Sequence, residues 1–314
     1  MLAATIVNGA LEVREHPDPV PGTGQIRVRI HAAGINNADL IQVQGHYPPP
    51  AGVPADIPGM ELAGVVDAIG PGSTRFAPGD AVMALIGGGA QAEMAVLHER
   101  EAMPVPDGLE MAAAGGLPEV FTTAHDALFT QAGLRSGDRL LVNGAAGGVG
   151  TAAVQLGIVA GARVTASVRA VDKRADVAAL GATVIAPSEA ADHGPYDVIL
   201  ELVGAPNMAV NLNSLAVGGR ISVIGTGGGA KAEINLGLLM ARRARIHGST
   251  LRARALEAKA DAARRVEAEV LPHFAAGRLR VPIHATFALA DAEAAYKHFA
   301  AGSKFGKIVL LPAR

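Results

Sequence analysis

The sequence predicts an α/β protein in which a small antiparallel β domain precedes a doubly wound parallel sheet, and three observations carry that prediction. The segment Ile26-Arg27-Val28-Arg29-Ile30-His31-Ala32 alternates strictly between apolar and polar, the pattern of a half-buried antiparallel strand. Beyond about Leu117, short apolar runs alternate with helical stretches, as in βαβ units. Between one such run and the helix after it lies the turn Asn143-Gly144-Ala145-Ala146-Gly147-Gly148-Val149-Gly150.

In the first domain, residues 61–68 and 81–86 are apolar runs that follow the alternating strand. Turn clusters such as Gly70-Pro71-Gly72-Ser73 and Pro78-Gly79-Asp80 separate them, which is the spacing of a small barrel or sandwich. Parallel strands are expected at 139–142, 163–168, 183–185, 197–202 and 220–224, with a helix over 151–160 after the first. A charged helix near 255–276, carrying Glu257, Lys259, Asp261, Arg264, Arg265, Glu267 and Glu269, then leads into the stretches 278–283 and 306–311. The C-terminus is expected to return to the first domain. The predicted domains are therefore residues 1–118 with 267–314, and residues 119–266.

Composition narrows the function. A chain of 314 residues with 50% apolar content can fill two cores of ordinary size. Its net charge of −2 offers no global attraction to nucleic acid or to anionic membranes, which points to small molecules as partners. The absence of cysteine excludes disulfides, thiol nucleophiles and cysteine-ligated zinc. The first residues lack the basic region and long apolar run of a signal peptide, and no apolar stretch is long enough to cross a membrane, so a cytoplasmic setting is expected. None of the ten histidines has a partner at metal-ligand spacing.

The glycine-rich turn predicts a dinucleotide phosphate site. Such a turn needs a residue without Cβ where pyrophosphate approaches the backbone and another where helix and sheet pack closely, and the ligand's charge rests on free N–H groups at the helix start. Gly147 and Gly150 occupy the last two positions of the usual G-x-G-x-x-G hexamer and Ala145 the first, with Gly144, Ala146, Gly148 and Val149 completing the turn. The end of the next strand selects the cofactor. An NAD site places Asp or Glu there for the ribose 2′-hydroxyl. This chain instead runs through Ser167 and Val168 into Arg169-Ala170-Val171-Asp172-Lys173-Arg174. A guanidinium suits a bidentate contact to a 2′-phosphate, so NADPH is the expected cofactor. Lys173 and Arg174 either join Arg169 in that contact or form the solvated face of the following helix.

The order of barrel, Rossmann unit and C-terminal return resembles the medium-chain dehydrogenase/reductase superfamily, with Gly79-Asp80, Gly137-Asp138, the Ala-Ala-Gly-Gly-Val-Gly turn and the closing Gly306-Lys307-Ile308-Val309-Leu310. Within it, four segments are similar to the zinc-free quinone oxidoreductases related to zeta-crystallin, and nearest to their tumour-suppressor-inducible subgroup. These are Gly34-Ile35-Asn36-Asn37-Ala38-Asp39-Leu40, Gln44-Gly45-His46-Tyr47-Pro48-Pro49-Pro50, Gly87-Gly88-Gly89-Ala90-Gln91-Ala92-Glu93 and Leu117-Pro118-Glu119-Val120-Phe121-Thr122-Thr123-Ala124. The resemblance implies a GroES-like catalytic domain beside the Rossmann domain, and a homodimer that pairs sheet edges near residues 225–229. Zinc-dependent relatives hold their metal with two cysteines and a histidine. Here Asn36 stands for the first cysteine and Gly59-Met60-Glu61 for the usual Gly-His-Glu, so no metal is expected.

Without a Lewis acid the acceptor must already be activated, and a quinone is, because its reduced product is aromatic. Tyr47, one of three tyrosines, sits in a Pro- and Gly-rich loop and is the leading hydrogen-bond donor to the acceptor carbonyl. The alternative is a loop aromatic that packs on a domain interface. Asn36 could contact nicotinamide or substrate, and Asp39 either orients Asn36 or caps the helix near Ala38. Thr123 matches a family threonine near the nicotinamide, or else begins a helix. Val203, Gly225 and Thr226 follow strand ends, where open α/β sheets bind ligands, so they are expected at the nicotinamide ribose. Leu251 and Arg252 are expected to enclose the nicotinamide, and Lys304 and Phe305 to close over it, as the resemblance implies. The leading reading is an NADPH-dependent quinone reductase. Competing with it are a reductase of enones or enoyl thioesters and a non-catalytic nucleotide- or RNA-binding protein, the last disfavoured by the 3% aromatic content.

Overall fold

A computed structural model describes residues 1–313. Its contacts divide into two units: Met1–Thr122 with Leu251–Gly302 and the chain from Lys307 on, and Thr123–Thr250 with Ser303–Gly306.

The first unit is built around one seven-stranded sheet in the order Ile283–Ala288, Lys307–Leu311, Gln25–Ile35, Glu61–Ile69, Ala81–Leu85, Ala102–Pro104, with Met94–His98 also on Gln25–Ile35. The long strand Gln25–Ile35 branches: residues 25–29 pair with Met94–His98, and residues 33–35 pair with 308–310. Its alternation buries Ile26, Val28 and Ile30 against Leu62, Val66, Val82 and Leu97. A second cluster packs Ile35, Ile308 and Leu310 against Tyr296 and Phe299 of the helix Ala292–Ala301. The branch has a functional consequence, because the pairing of Ile308 with Ile35 carries Lys307 up to Asn36.

The chain also forms an N-terminal hairpin, Leu2–Val7 with Ala10–Glu15, closed by Asn8-Gly9, both at positive φ. That two-residue loop is the type I′ signal, whose twist matches the strands it joins.

The charged helix expected over 255–276 is two helices, Leu256–Glu269 and Leu271–Ala275, parted at Val270. Pro272 causes the break, since it supplies no N–H and its ring disfavours a helix continuing from before it. Glu257 and Lys259 pair with Arg100 and Glu101 at 2.6 and 3.0 Å, so the first of these helices is packed within the first unit. The division of contacts accordingly falls between residues 250 and 251, where residues 266 and 267 were expected to part. A strand starts at Ile283, directly after Pro282, and runs to Ala288.

The second unit is a six-stranded, wholly parallel sheet in the order Thr183–Ile185, Arg163–Ser167, Arg139–Asn143, Tyr196–Glu201, Leu215–Val223, Arg245–Gly248. This is the doubly wound order, and its direction reverses between Arg139–Asn143 and Tyr196–Glu201. Leu141, Tyr196, Ile199 and Ile221 form its core. The helix after the glycine turn starts at Gly148, three residues earlier than the sequence pattern indicates, with Gly147 as its N-cap.

Candidate functional site

In the second unit, the turn is shaped by backbone. Gly144 has φ +77, and a Cβ on Gly150 would lie 2.5 Å from the Gly144 carbonyl oxygen and 2.6 Å from the Ala145 Cα. Only glycine fits at Gly150. Ala145 is fully buried, and its N–H donates to the Ser167 carbonyl at 3.3 Å, tying the turn to the neighbouring strand end. No side chain caps the helix Gly148–Val159, so its first-turn N–H groups and their positive field stay available to an anion. The returning segment 303–306 lies alongside: Gly306 N–H donates to Ala146 O at 3.0 Å, and Gly306 bridges Gly147. The turn and the Lys304-Phe305 pair are thereby neighbours. These features fit a dinucleotide pyrophosphate.

At the adjacent strand end Ser167 is buried and Arg169 is exposed, with no ion pair or hydrogen bond among the described residues. Lys173 is held by Asp172 at 3.3 Å, and Arg174 Nε donates to Val168 O at 3.1 Å. Arg169 is thus the uncommitted cation of the three. Across the switch point, Glu201 is fully buried without a cation beside it. One oxygen accepts from Val203 N–H at 2.6 Å, Gly204 N–H at 2.7 Å and Asn207 Nδ2 at 3.2 Å. The other accepts from Asn143 at 2.8 Å and Asn211 at 2.6 Å. This carboxylate therefore ties the residue before the glycine turn to the loop holding Val203. That loop in turn meets Gly228 and Gly229, just beyond Gly225 and Thr226, through Gly228 N–H on Val203 O (2.8 Å) and Ala205 N–H on Gly229 O (2.9 Å). Thr123 is buried at the end of the helix Pro118–His125 that begins in the first unit.

In the first unit the site residues are charged and mutually engaged. Asn36 is the N-cap of the helix Asn37–Val43, and Asp39, fully buried, accepts the Asn36 backbone N–H at 2.8 Å and the Gly59 N–H at 3.2 Å. The first of these bonds joins Asp39, at the third helical position, to the backbone of the N-cap residue Asn36. Burial pushes the Asp39 carboxyl up from 3.8 to about 6, against the pull of the Asn36 N–H and of Lys307 and Arg252. The Asn36 side chain faces Lys307 and Glu61: Lys307 Nζ donates to its Oδ1 at 2.5 Å, and its Nδ2 donates to Glu61 Oε1 at 3.0 Å. Lys307 pairs with Glu61 at 2.6 Å, with both side chains out of solvent. Gly34 makes room for this, since a Cβ there would sit 2.1 Å from Glu61 Oε1.

Tyr47 is half-buried, and its hydroxyl has no protein partner among the described residues. Its ring lies under the Arg252 guanidinium, 5.0 Å from centroid to Cζ. Arg252 is itself buried and donates to Gly87 O at 2.7 Å, to Tyr47 O at 3.2 Å and to Gln42 Oε1. Expected to enclose the nicotinamide, Arg252 has its guanidinium occupied inside the first unit, where it clamps the Tyr47 loop. Leu251 is buried in the same unit beside Leu85, Met103 and Thr122. Lys307 is the residue that sequence reasoning missed. Its place in the closing Gly306-Lys307-Ile308 motif, with a surviving Glu61 and no metal ligands, was the available signal.

A zinc ion does not fit this arrangement. Both Glu61 oxygens are engaged, Oε1 by Lys307 and Asn36 and Oε2 by Glu119 N–H at 2.8 Å. Met60 and Asn36 offer neither thiolate nor imidazole. Among the described residues, no group of three or more His, Cys, Asp or Glu could hold a metal.

The alcohol dehydrogenase GroES-like domain family matches residues 22–107, and the family described as zinc-binding dehydrogenase matches residues 164–310. The chain is 36% identical to erythronolide synthase EryA2 of Saccharopolyspora erythraea over 91% of its own length but only 8% of that protein's, so it spans a small fraction of that relative. It is 31% identical to a quinone oxidoreductase of Pseudomonas aeruginosa, covering 96% of this chain and 95% of that one. Acryloyl-coenzyme A reductase of Metallosphaera sedula is 29% identical over 98% and 99% of the two chains. Among solved structures, an alcohol dehydrogenase superfamily protein from Novosphingobium aromaticivorans superposes with a TM-score of 0.88, at 30% identity over 99% of each chain. With its doubly wound sheet and GroES-like unit, the chain belongs to the medium-chain dehydrogenase/reductase superfamily, as a relative of the quinone oxidoreductases.

Proposed function

We propose that the chain is an NADPH-dependent, zinc-independent quinone reductase of the cytoplasm. The observation that carries this reading is the Lys307 ammonium paired with Glu61 at 2.6 Å: the cation beside this carboxylate is a side chain, so the acceptor must be activated without a Lewis acid. The near full-length likeness to a quinone oxidoreductase supports the same class. Bound reduced nicotinamide supplies the hydride. The residues around the glycine turn, Gly144 to Val149, hold the pyrophosphate on backbone N–H groups, and Arg169 takes the 2′-phosphate. Ser167, Lys173, Thr123, Val203, Gly225, Thr226, Lys304 and Phe305 complete the cofactor contacts. Tyr47, with its hydroxyl unpaired and its ring held by Arg252, donates a hydrogen bond to the acceptor oxygen that gains charge. Asn36 adds a second donor, and Asp39 fixes Asn36. Two copies pair through the free edge of Arg245–Gly248, near which Leu236 and Met240 are exposed.

The second reading, a reductase of enoyl thioesters, draws on the likeness to acryloyl-coenzyme A reductase. Arg242, Arg243 and Arg245 do not favour it. They lie at the amino end of the strand Arg245–Gly248, away from the carboxyl ends where open sheets take ligands. NADPH oxidation measured in parallel with an ortho-quinone, a para-quinone, an enone and a short enoyl-CoA tests the proposal. Quinone turnover well above the others is expected. Turnover confined to the enoyl-CoA would replace the proposal with the second reading.

A further inference from the structure

We infer that Lys307 and Glu61 are positioning residues that lock the Asn36 side chain as a hydrogen-bond donor, so that this pair fixes the polarity of one arm of the reaction site. The inference rests on the role proposed for Asn36 and adds what holds it. An amide can usually be turned end for end, but these neighbours forbid it. Lysine only donates, so the atom 2.5 Å from Nζ is the amide oxygen; a carboxylate only accepts, so the atom 3.0 Å from Oε1 is the nitrogen. The Asn36 backbone is held independently by Asp39, leaving the side chain no other register.

The lock is full on every other side. Lys307 directs its ammonium at Glu61 Oε1, Asn36 Oδ1 and Ile35 O (3.1 Å), which matches its three N–H donors. Lys307 has no donor left for a substrate, and both side chains are almost wholly buried. Asn36 retains one Nδ2 proton with no acceptor among the described residues, beside an oxygen already engaged by the ammonium. A side chain prepared in this way recognises a carbonyl oxygen and rejects a ligand that presents an N–H or O–H in its place.

Kinetics of three variants with NADPH and a para-quinone test the inference: Asn36→Ala, the charge-free pair Glu61→Gln/Lys307→Met, and the triple variant. The charge-free pair should lower kcat about tenfold or more, while NADPH affinity, read by fluorescence titration, shifts less than about twofold. The triple variant should be no slower than Asn36→Ala, because the pair acts only through Asn36. An impaired Asn36→Ala beside a charge-free pair of unchanged kcat would overturn the inference and leave the proposed function standing. An Asn36→Ala variant with unchanged kcat would instead remove Asn36 from the reaction. A reading that needs no variant comes from the Asn36 side-chain amide in the NMR spectrum of the whole protein. Two well-separated protons are expected, one slow to exchange; a single averaged, fast-exchanging pair would overturn the lock.

Discussion

The two units build their sites from opposite materials. The second unit presents backbone: a glycine turn, an uncapped helix start and loops joined by main-chain hydrogen bonds, with Arg169 left unpaired. The first unit presents side chains already engaged with one another, Asn36 with Lys307 and Glu61, Tyr47 with Arg252, and Asp39 with two backbone N–H groups. The difference teaches where specificity resides. A backbone cradle accepts any dinucleotide pyrophosphate, and in the proposed function the discrimination falls to the free cation of Arg169 beside it. A buried polar cluster is fixed before ligand arrives and dictates what may approach, at the risk that losing one member strands the rest.

That risk is measurable, and Arg252→Ala should show it most strongly. The change strands Gly87 O, Tyr47 O and Gln42 and removes a cation facing Asp39, so urea unfolding should report a loss of about 3 kcal/mol or more. Quinone turnover should fall with it. A variant of near wild-type stability would mean that the clamp is not formed.

A comparable effect should appear with pH at Asp39. Because burial raises its carboxyl from 3.8 to about 6, the folded chain holds this proton more tightly than the unfolded chain does. Its contribution therefore favours folding fully below about pH 4 and is lost as pH climbs through about 6. Measured against Asp39→Asn, the wild type should lose up to about 3 kcal/mol of relative stability across that window. A flat difference between the two proteins would show that the carboxylate is well solvated or fully compensated.

In the second unit the counterpart of these buried groups is Glu201. Glu201→Gln turns an amide NH₂ toward donors, either the Val203 and Gly204 N–H groups or Asn143 and Asn211, at a cost of about 1–3 kcal/mol in unfolding measurements. NADPH affinity should weaken as well, since the turn and the Val203 loop lose their common anchor. Unchanged affinity would detach Glu201 from the cofactor site.

The smallest effect sharpens the comparison from the open side. Arg169→Asp should leave stability nearly intact, for Arg169 is exposed and makes no ion pair or hydrogen bond among the described residues, yet reduce NADPH affinity about tenfold or more relative to NADH. Equal losses for both cofactors would sink the NADPH assignment.

This contrast also explains what the sequence could reveal. The backbone site is local: a strand, eight residues of turn and a helix contain nearly all of it, so glycine spacing exposes it. Loops at parallel strand ends are nearly as legible, because topology brings them together. The first unit's cluster draws on residues near 36, 61 and 307, joined by the branching of one strand, and on Arg252, which reaches the Tyr47 loop from elsewhere in the chain. No period or spacing connects these positions. Arg252, read as a cofactor contact from its place past the last strand, has its guanidinium turned instead to Tyr47, and Lys307 passed as the opening of a strand. The long charged helix failed for a simpler reason, since Pro272 stands inside the expected span and breaks it where the charged residues end at Glu269. The Asn8-Gly9 pair is an equally local signal, a two-residue turn that the hairpin over residues 2–15 uses.

An ammonium stands beside Glu61, and the proposed quinone reduction proceeds on that basis without a metal. The most direct test is steady-state turnover of NADPH and a quinone by protein exhaustively treated with a strong zinc chelator, then resupplied with zinc, with bound metal quantified at each stage. The account predicts undiminished turnover after chelation, no gain on adding zinc and no stoichiometric metal in the protein. Activity lost with the chelator and restored by one equivalent of zinc would contradict it.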